Sequence, residues 1–379
     1  MLTKEGCKTR RDRLWHRLNP KPDALIIADP QHLMYFANYY QSPFVFRSND
    51  GGAILILTPD GKATLVADNL LEGFTKEAHV DEAITPVWYR SVESAPHREA
   101  FLYKNTLDVL KKKVSGSRVR LGIEQAQVPA GITSAFPGAE LVDLDPHIFA
   151  MKRQKDEDEL AIMRQSMRAG EAGFAAALTD LKPGMTEMDF FYLVCRAAMN
   201  AANGQAMIYG DFVTGPRTEA VGGPPSNRKI EKGDLILLDF STVICQYRAD
   251  FANTFVLEGK PNSRQQELAT ACLEAMAAGE KVLKAGVTGQ AVDRAVRGTF
   301  EAKHLEASFP HHTGHGIGLG HPEPPFLTSK SSDTLLAGDV VTLEPGQYIG
   351  GVGGMRFERN YLITPTGYEL LSKHRVGMV

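Results

Sequence analysis

The chain has 379 residues, enough for two domains, and its 43% hydrophobic and 23% charged residues are typical of a soluble globular protein. The formal net charge is -3 and the two signs are interspersed, so we expect no nucleic-acid partner. The start has no signal-peptide core, and no apolar run approaches the roughly 20 residues that span a bilayer. With four scattered cysteines, these features predict a cytoplasmic protein without membrane contact.

Residues 1–150 alternate helical and strand patterns and carry no catalytic motif. Helices are predicted over residues 11–18 and 102–113, and a turn signal within residues 52–67 predicts a β-hairpin. A charged segment at residues 151–155 marks the boundary to a second domain, which extends from residue 151 to 379. The pattern predicts a mixed α/β chain of two domains.

An acidic hairpin stands out in the second domain. Residues 235–243 form a predicted strand that turns near Ile244 and Cys245 and returns over residues 246–255. This turn would place Asp239 and Asp250 roughly opposite each other, where like charges destabilise a sheet. A buried apolar strand would not carry such a pair without compensation, and a bound cation would supply it.

A second acidic hairpin follows near the C-terminus, where Glu344 and Glu358 face each other about a glycine-rich turn. Between the two hairpins, the glycine-rich loop of residues 311–318 presents His315. Four carboxylates and one imidazole suit two divalent cations. Because nitrogen ligands are few, we favour Mn²⁺, with Fe²⁺, Co²⁺ and Zn²⁺ as alternatives.

The second domain also repeats itself. In each half a long helix ends at a glycine, Gly184 or Gly286, and a threonine two residues later begins a second helix. Further along each half, a Gly-Asp pair precedes the acidic strand by the same spacing. The repeat predicts two halves related by a pseudo-twofold axis, which would bring both acidic hairpins to one centre.

These motifs resemble those of the pita-bread metallohydrolases, which include aminopeptidase P, prolidase, methionine aminopeptidase and the metal-free creatinase. Residues 151–379 resemble their catalytic domain, and residues 1–150 resemble the small α/β domain that aminopeptidase P, prolidase and creatinase carry. The resemblance implies a metallopeptidase that hydrolyses short peptides, with proline after the scissile bond. It also implies a homodimer.

The resemblance further implies a role for each site residue. Asp239 would bind the first metal, His315 and Glu344 the second, and Asp250 and Glu358 would bridge both. Glu344 would also act as general base and proton donor. Substrate contacts and support of the acidic site would come from three further residues: His311, His321 and Arg356.

One departure from the resemblance concerns substrate handling. The peptidases usually carry a histidine in the loop before the first acidic hairpin, and this chain has Gly222 there. Two alternatives therefore stay open. One is a creatinase-like hydrolase of a non-peptide amide or amidine, and the other is a non-catalytic binding protein with the pita-bread fold.

Overall fold

The computed structural model describes residues 1–116 and 118–378, which form two compact units, Met1–Lys152 and Arg153–Val379. The division lies two residues beyond the boundary that the charged segment indicated. In the described part of the chain, no helix combines the length and the apolarity needed to cross a membrane.

The N-terminal unit is built around a six-stranded mixed sheet with the strand order β4-β3-β2-β1-β5-β6. Its strands are β1 Ala24–Ile27, β2 Ile54–Leu57, β3 Ala63–Val66, β4 Glu82–Ile84, β5 Arg120–Ile123 and β6 Glu140–Asp143. Its helices are α1 Lys4–Arg17, α2 Pro30–Ala37, α3 Glu72–Thr75, α4 Arg98–Lys113, α5 Ala130–Thr133 and α6 Asp145–Lys152.

Both predicted helices and the predicted hairpin of this unit are confirmed. Strands β2 and β3 pair antiparallel, and every residue of β1, β2 and β3 is buried. Continuous apolar strands of this kind are expected where a sheet is covered on both faces. The unit therefore has its own hydrophobic core, in which Leu102 and Leu110 of α4 pack with Ile26 and Ile56 of the sheet.

The second unit contains four α-helices and ten strands among its described residues. The helices are α7 Glu157–Asp180, α8 Glu187–Ala202, α9 Ser263–Glu280 and α10 Gly289–Glu301. The strands are β7 Met207–Thr214, β8 Leu235–Ile244, β9 Tyr247–Val256, β10 Gly314–Gly316, β11 Glu323–Leu327, β12 Val340–Leu343, β13 Gly346–Ile349, β14 Gly353–Arg356, β15 Arg359–Ile363 and β16 Tyr368–Leu370.

The two halves of this unit use the same local interactions. Thr186 and Thr288 are the N-caps of α8 and α10, each accepting a hydrogen bond from a backbone N–H three residues on. Asp234 accepts from the backbone N–H of Glu231, and Asp339 accepts in the same way from Leu336. Identical turns therefore lead into the two acidic strands, as the sequence repeat predicted.

The first acidic hairpin has a different register from the one predicted. The turn consists of Cys245 and Gln246, both with positive φ, so Ile244 pairs with Tyr247. Moving the turn by one residue shifts every partner by two, and Asp239 is therefore opposite Ala252 rather than Asp250. Side chains alternate with a period of two, so Asp239 and Asp250 remain diagonal neighbours on one face.

The two acidic hairpins meet through β9 and the segment before β15. The backbone N–H of Glu358 donates to the carbonyl of Ala252 at 2.9 Å, and the two residues form an isolated antiparallel bridge. Asn360 accepts from the backbone N–H of Asp250 at 3.2 Å and donates to its carbonyl. These bonds bring Asp250 and Glu358, which are far apart in sequence, to one place.

Candidate metal centre

The structure brings the five predicted metal ligands together in overlapping groups. Asp239, Asp250 and Glu358 have carboxylate oxygens within 4.8 Å of one another. Asp250 belongs also to a group with His315 and His321, and His315 to a further group with Glu344. Because Asp250 and His315 are shared, the groups form one continuous cluster of oxygen and nitrogen ligands.

Glu358 is the residue that most clearly indicates a cation-binding site. The residue is 1% exposed, and neither carboxylate oxygen has a hydrogen-bond partner among the described residues. A buried carboxylate without partners is costly, and it normally coordinates a metal, pairs with a cation or becomes neutral. The donor set around it fits a divalent cation, because hard oxygen ligands and one imidazole are what such ions accept.

The carboxylates of the cluster fall into two classes by their pKa. Burial, with the charges of neighbouring carboxylates, raises the pKa of Glu358 and of Asp239 well above the ordinary range. Burial also opposes ionisation of Asp250 and Glu344, but the hydrogen bond from His321 to Asp250 and that from His312 to Glu344 lower the pKa of both carboxylates overall. The charge of Arg356 partly balances Asp239, so Glu358, whose carboxylate has no hydrogen-bond partner in the described part of the chain, is the one that most needs a cation.

The hydrogen bonding of His315 leaves its Nε2 able to bind a metal ion. Its Nδ1 lies 2.9 Å from the carbonyl of Gly316, which can only accept, so Nδ1 carries the proton. Nε2 then offers its lone pair, at 3.5 Å from Glu344 Oε1 and 3.7 Å from Asp250 Oδ2. Burial lowers the pKa of His315, which favours the neutral imidazole that a metal requires.

The other two predicted histidines occupy different places. His321 Nε2 lies 2.7 Å from Asp250 Oδ2, so His321 lies directly against the cluster. His311 is set back: Nδ1 donates to the carbonyl of His312, and Nε2 lies 3.0 Å from the hydroxyl of Tyr348. Burial lowers the pKa of His311 to about 4, so Nε2 accepts the hydrogen bond from Tyr348.

His312 was missed at the level of sequence. Its Nε2 lies 2.9 Å from Glu344 Oε1, and that hydrogen bond raises the pKa of His312. The side chain is 40% exposed, so it connects Glu344 to solvent. Its position between His311 and His315 in the glycine-rich loop was the available signal.

Arg356 supports the first acidic hairpin. Its guanidinium lies 2.5 Å from Asp239 Oδ2, and it also donates to the carbonyl of Val221 and to the hydroxyl of Tyr348. Arg356 lies 3.4 Å from a further carboxylate, Asp211, which no sequence pattern singled out. Arg356 therefore positions Asp239, and Asp211 adds a charge beside it.

The loop that carries Gly222 is rigidly held. Glu187, fully buried at the start of α8, accepts from the backbone N–H groups of Thr214 and Ser226 and from Arg217. A Cβ atom at Gly222 would lie 1.9 Å from Asp211 Oδ2. The space that a side chain at position 222 would enter is thus filled by the carboxylate of Asp211.

This contact gives a prediction for Gly222→His. The imidazole cannot enter without displacing Asp211, so the free energy of unfolding should fall by about 1–3 kcal/mol, as for other overpacked sites. Adding Asp211→Ala should recover much of that loss. Urea unfolding of both variants measures it. Gly223→Ala is the control, because a Cβ atom there meets only contacts of 3.4 Å and longer. A fully stable single variant would contradict the packing.

A second prediction concerns stability. Adding Mn²⁺ to the metal-stripped protein should raise its unfolding temperature, since a ligand of the native state at roughly 100 times its Kd contributes about 2.7 kcal/mol. Glu358→Gln should lose most of this gain, whereas Gln in place of the exposed Glu231 should keep it. Calorimetric scans with and without the ion measure both. An equal shift in Glu358→Gln and wild type would exclude Glu358 as a ligand.

Each of the two units matches a known protein family. Residues 161–365 match metallopeptidase family M24, and residues 10–153 match the creatinase/prolidase N-terminal domain. The uncharacterised peptidase YqhT of Bacillus subtilis is 32% identical over 262 residues, 67% of this chain and 72% of that protein. An uncharacterised peptidase of Staphylococcus aureus is 26% identical over 361 residues, 94% of this chain and 96% of its own.

Solved structures share the fold along the whole chain. The X-Pro aminopeptidase from Thermotoga maritima superposes with a TM-score of 0.82 at 24% identity, covering 98% of each chain. The Xaa-Pro dipeptidase from Bacillus anthracis superposes with a TM-score of 0.79 at 24% identity, covering 100% of this chain and 99% of that one. The predicted fold, a creatinase-like α/β domain followed by a pita-bread domain, is confirmed.

Proposed function

Because this chain belongs to metallopeptidase family M24, we propose that it is a dinuclear-metal enzyme that hydrolyses short peptides at Xaa-Pro bonds. The observation that carries the proposal is the buried carboxylate of Glu358, which has no hydrogen-bond partner within residues 1–116 and 118–378 and lies beside Asp239 and Asp250. The proline preference is supported by the fold shared with the aminopeptidase of Thermotoga maritima and the dipeptidase of Bacillus anthracis.

Each ligand has a proposed place. Asp239 would hold the first cation, His315 and Glu344 the second, and Asp250 and Glu358 would serve both. When bound, such cations would lower the pKa of a coordinated water molecule and polarise the carbonyl group of the scissile bond. Mn²⁺ is the favoured ion because the set contains one imidazole among oxygen ligands, with Fe²⁺, Co²⁺ and Zn²⁺ as alternatives.

The remaining chemistry belongs to the protein's own groups. Glu344 is the proposed general base and later the proton donor, and the hydrogen bond from His312 orients its Oε1. His311 and His321 are the proposed substrate contacts, with the imidazole of His321 at the cluster and that of His311 beside Tyr348. Arg356 holds Asp239 in position.

The experiment combines elemental analysis with a substrate panel. Metal-stripped protein is reloaded with each candidate ion, and metal content is measured alongside hydrolysis of Xaa-Pro dipeptides, longer Xaa-Pro peptides and matched peptides without proline. We expect two equivalents of metal and turnover of at least one proline peptide. One equivalent would contradict the dinuclear centre, and turnover restricted to peptides without proline would contradict the specificity.

A second candidate function is a creatinase-like hydrolase of a non-peptide amide or amidine. Gly222 favours it, because the histidine that the peptidases usually place there is absent and Asp211 fills the space. Small amides and amidines in the same panel separate the two functions. Turnover of these compounds, with no hydrolysis of any peptide in the panel, would favour this second function.

We also propose a cytoplasmic homodimer. All four cysteines are thiols, as expected in a reducing compartment. In the N-terminal unit Phe46 is 95% and Phe44 46% exposed, an apolar surface that a second copy could cover. Light scattering should give twice the 41.5 kDa chain mass, and Phe46→Ser should weaken the dimer. A monomeric wild type would contradict this.

A further inference from the structure

Asp211 is the carboxylate of the site that is most open to solvent. It lies on β7, one of the two edge strands of the sheet β7-β8-β9, directly opposite Asp239 of β8. Its side chain is 33% exposed, compared with 13% for Asp239 and 6% for Asp250. A ligand that approaches the cluster from the β7 edge would therefore meet Asp211 first.

The charge of Asp211 is only partly balanced. One guanidinium, that of Arg356, serves both carboxylates, at 2.5 Å from Asp239 and 3.4 Å from Asp211. Asp211 also accepts a hydrogen bond at Oδ1 from the backbone N–H of Gly223 at 2.9 Å. A carboxylate has about four lone-pair sites, so Asp211 can still accept hydrogen bonds from a ligand.

Gly222 determines what kind of group this position recognises. Without a side chain at position 222, Oδ2 of Asp211 occupies that space. The position therefore presents an anionic acceptor where an imidazole would present a donor. An anionic acceptor favours a protonated nitrogen, since charge-assisted hydrogen bonds are the stronger kind.

We propose that Asp211 is a specificity-determining residue that accepts a protonated nitrogen of the substrate. Two sources share this chemistry: the α-ammonium group of a peptide, and a cationic side chain on the residue before the scissile bond. This inference rests on the proposed peptide hydrolysis. It assigns Asp211 no bond to a metal and no part in proton transfer.

Three matched substrates separate the two sources: lysyl-proline, norleucyl-proline and hexanoyl-proline. The first pair differs in the side-chain ammonium, and the second pair differs in the α-ammonium. Asp211→Asn keeps an acceptor for Gly223 but removes the charge. Each pair gives a ratio of kcat/KM values: lysyl-proline over norleucyl-proline, and norleucyl-proline over hexanoyl-proline. We expect Asp211→Asn to lower one of these two ratios roughly 10- to 100-fold, the loss typical of a hydrogen bond to a charged group.

Two further variants control for other effects. Glu219→Gln removes the same charge from the loop that carries Gly222, but Glu219 bonds the backbone N–H of Gly351, so both ratios should stay as in wild type. Asp211→Glu keeps the charge and should retain part of the preference. If Asp211→Asn lowers kcat/KM for all three substrates by one factor, Asp211 merely positions Arg356 and the inference is overturned.

A binding measurement keeps the inference separate from the proposed reaction. Calorimetric titration of the metal-loaded protein with lysine, norleucine and hexanoate requires no turnover. The inference is supported if the wild type prefers lysine over norleucine, or norleucine over hexanoate, and Asp211→Asn loses that preference. This result counts even if no peptide is hydrolysed. Hydrolysis of the proline peptides with both ratios and all three affinities unaffected by Asp211→Asn supports the function and overturns the inference.

Discussion

Asp250→Asn should abolish binding of two metal ions and, with it, hydrolysis. Asp250 is buried, Oδ2 lies 2.7 Å from His321 Nε2 and Oδ1 lies 3.2 Å from the hydroxyl of Ser241. An amide offers one neutral oxygen and an NH₂ group, so it cannot supply two anionic oxygens to a shared position. Elemental analysis of the purified variant should find fewer than two equivalents.

Asp211→Asn is the matched control for this result. It makes the same chemical change on the same face of the sheet, but at a carboxylate that we place outside the ligand set. The control should keep full metal content. Two equivalents in a folded Asp250→Asn variant would rule out Asp250 as the bridging ligand, and loss of metal in both variants would indicate that Asp211 binds metal as well.

Glu344→Gln should lose turnover by far more than it loses substrate affinity. Glu344 is 4% exposed and accepts a hydrogen bond from His312, and its backbone N–H donates to the carbonyl of Thr313 at 2.9 Å, so the side chain is firmly placed. A positioned general acid–base contributes roughly 10²–10⁴ in rate, and glutamine cannot accept or return the proton. We expect kcat to fall by this amount while KM changes little.

Metal content has to be measured on the same sample, because Glu344 is also a proposed ligand. His312→Gln serves as a comparison, since it removes the hydrogen-bond partner of Glu344 but leaves the carboxylate. It should lower kcat less than Glu344→Gln does. Full turnover by a Glu344→Gln variant that retains its metal would identify another residue as the base.

Much of the fold follows from local features of the sequence. The capping threonines, the glycines with positive φ at Gly184 and Gly286, and the Gly-Asp turns act within a few residues, so their pattern predicts the repeated helices and strands. The four carboxylates of the proposed ligand set follow from the same repeat, because two carboxylates per hairpin are conspicuous in buried apolar strands.

The register of the first hairpin depended on the tertiary structure. An alternating pattern determines which face a side chain occupies, but it does not determine the residue opposite. The turn at Cys245 and Gln246 moves Asp239 from the position opposite Asp250 to a diagonal one. The face was therefore predicted correctly, whereas the pairing was wrong.

The contacts of the residues around the proposed ligands likewise became apparent only from the folded chain. By itself, the sequence determined the two domains, the repeat and the set of acidic and histidine residues, because these are periodic or local signals. The tertiary structure decided that Asp211 enters the space beside Gly222, that Tyr348 links His311 to Arg356, and that His312 bonds Glu344. These contacts join separate segments, and their geometry depends on packing that no local pattern encodes.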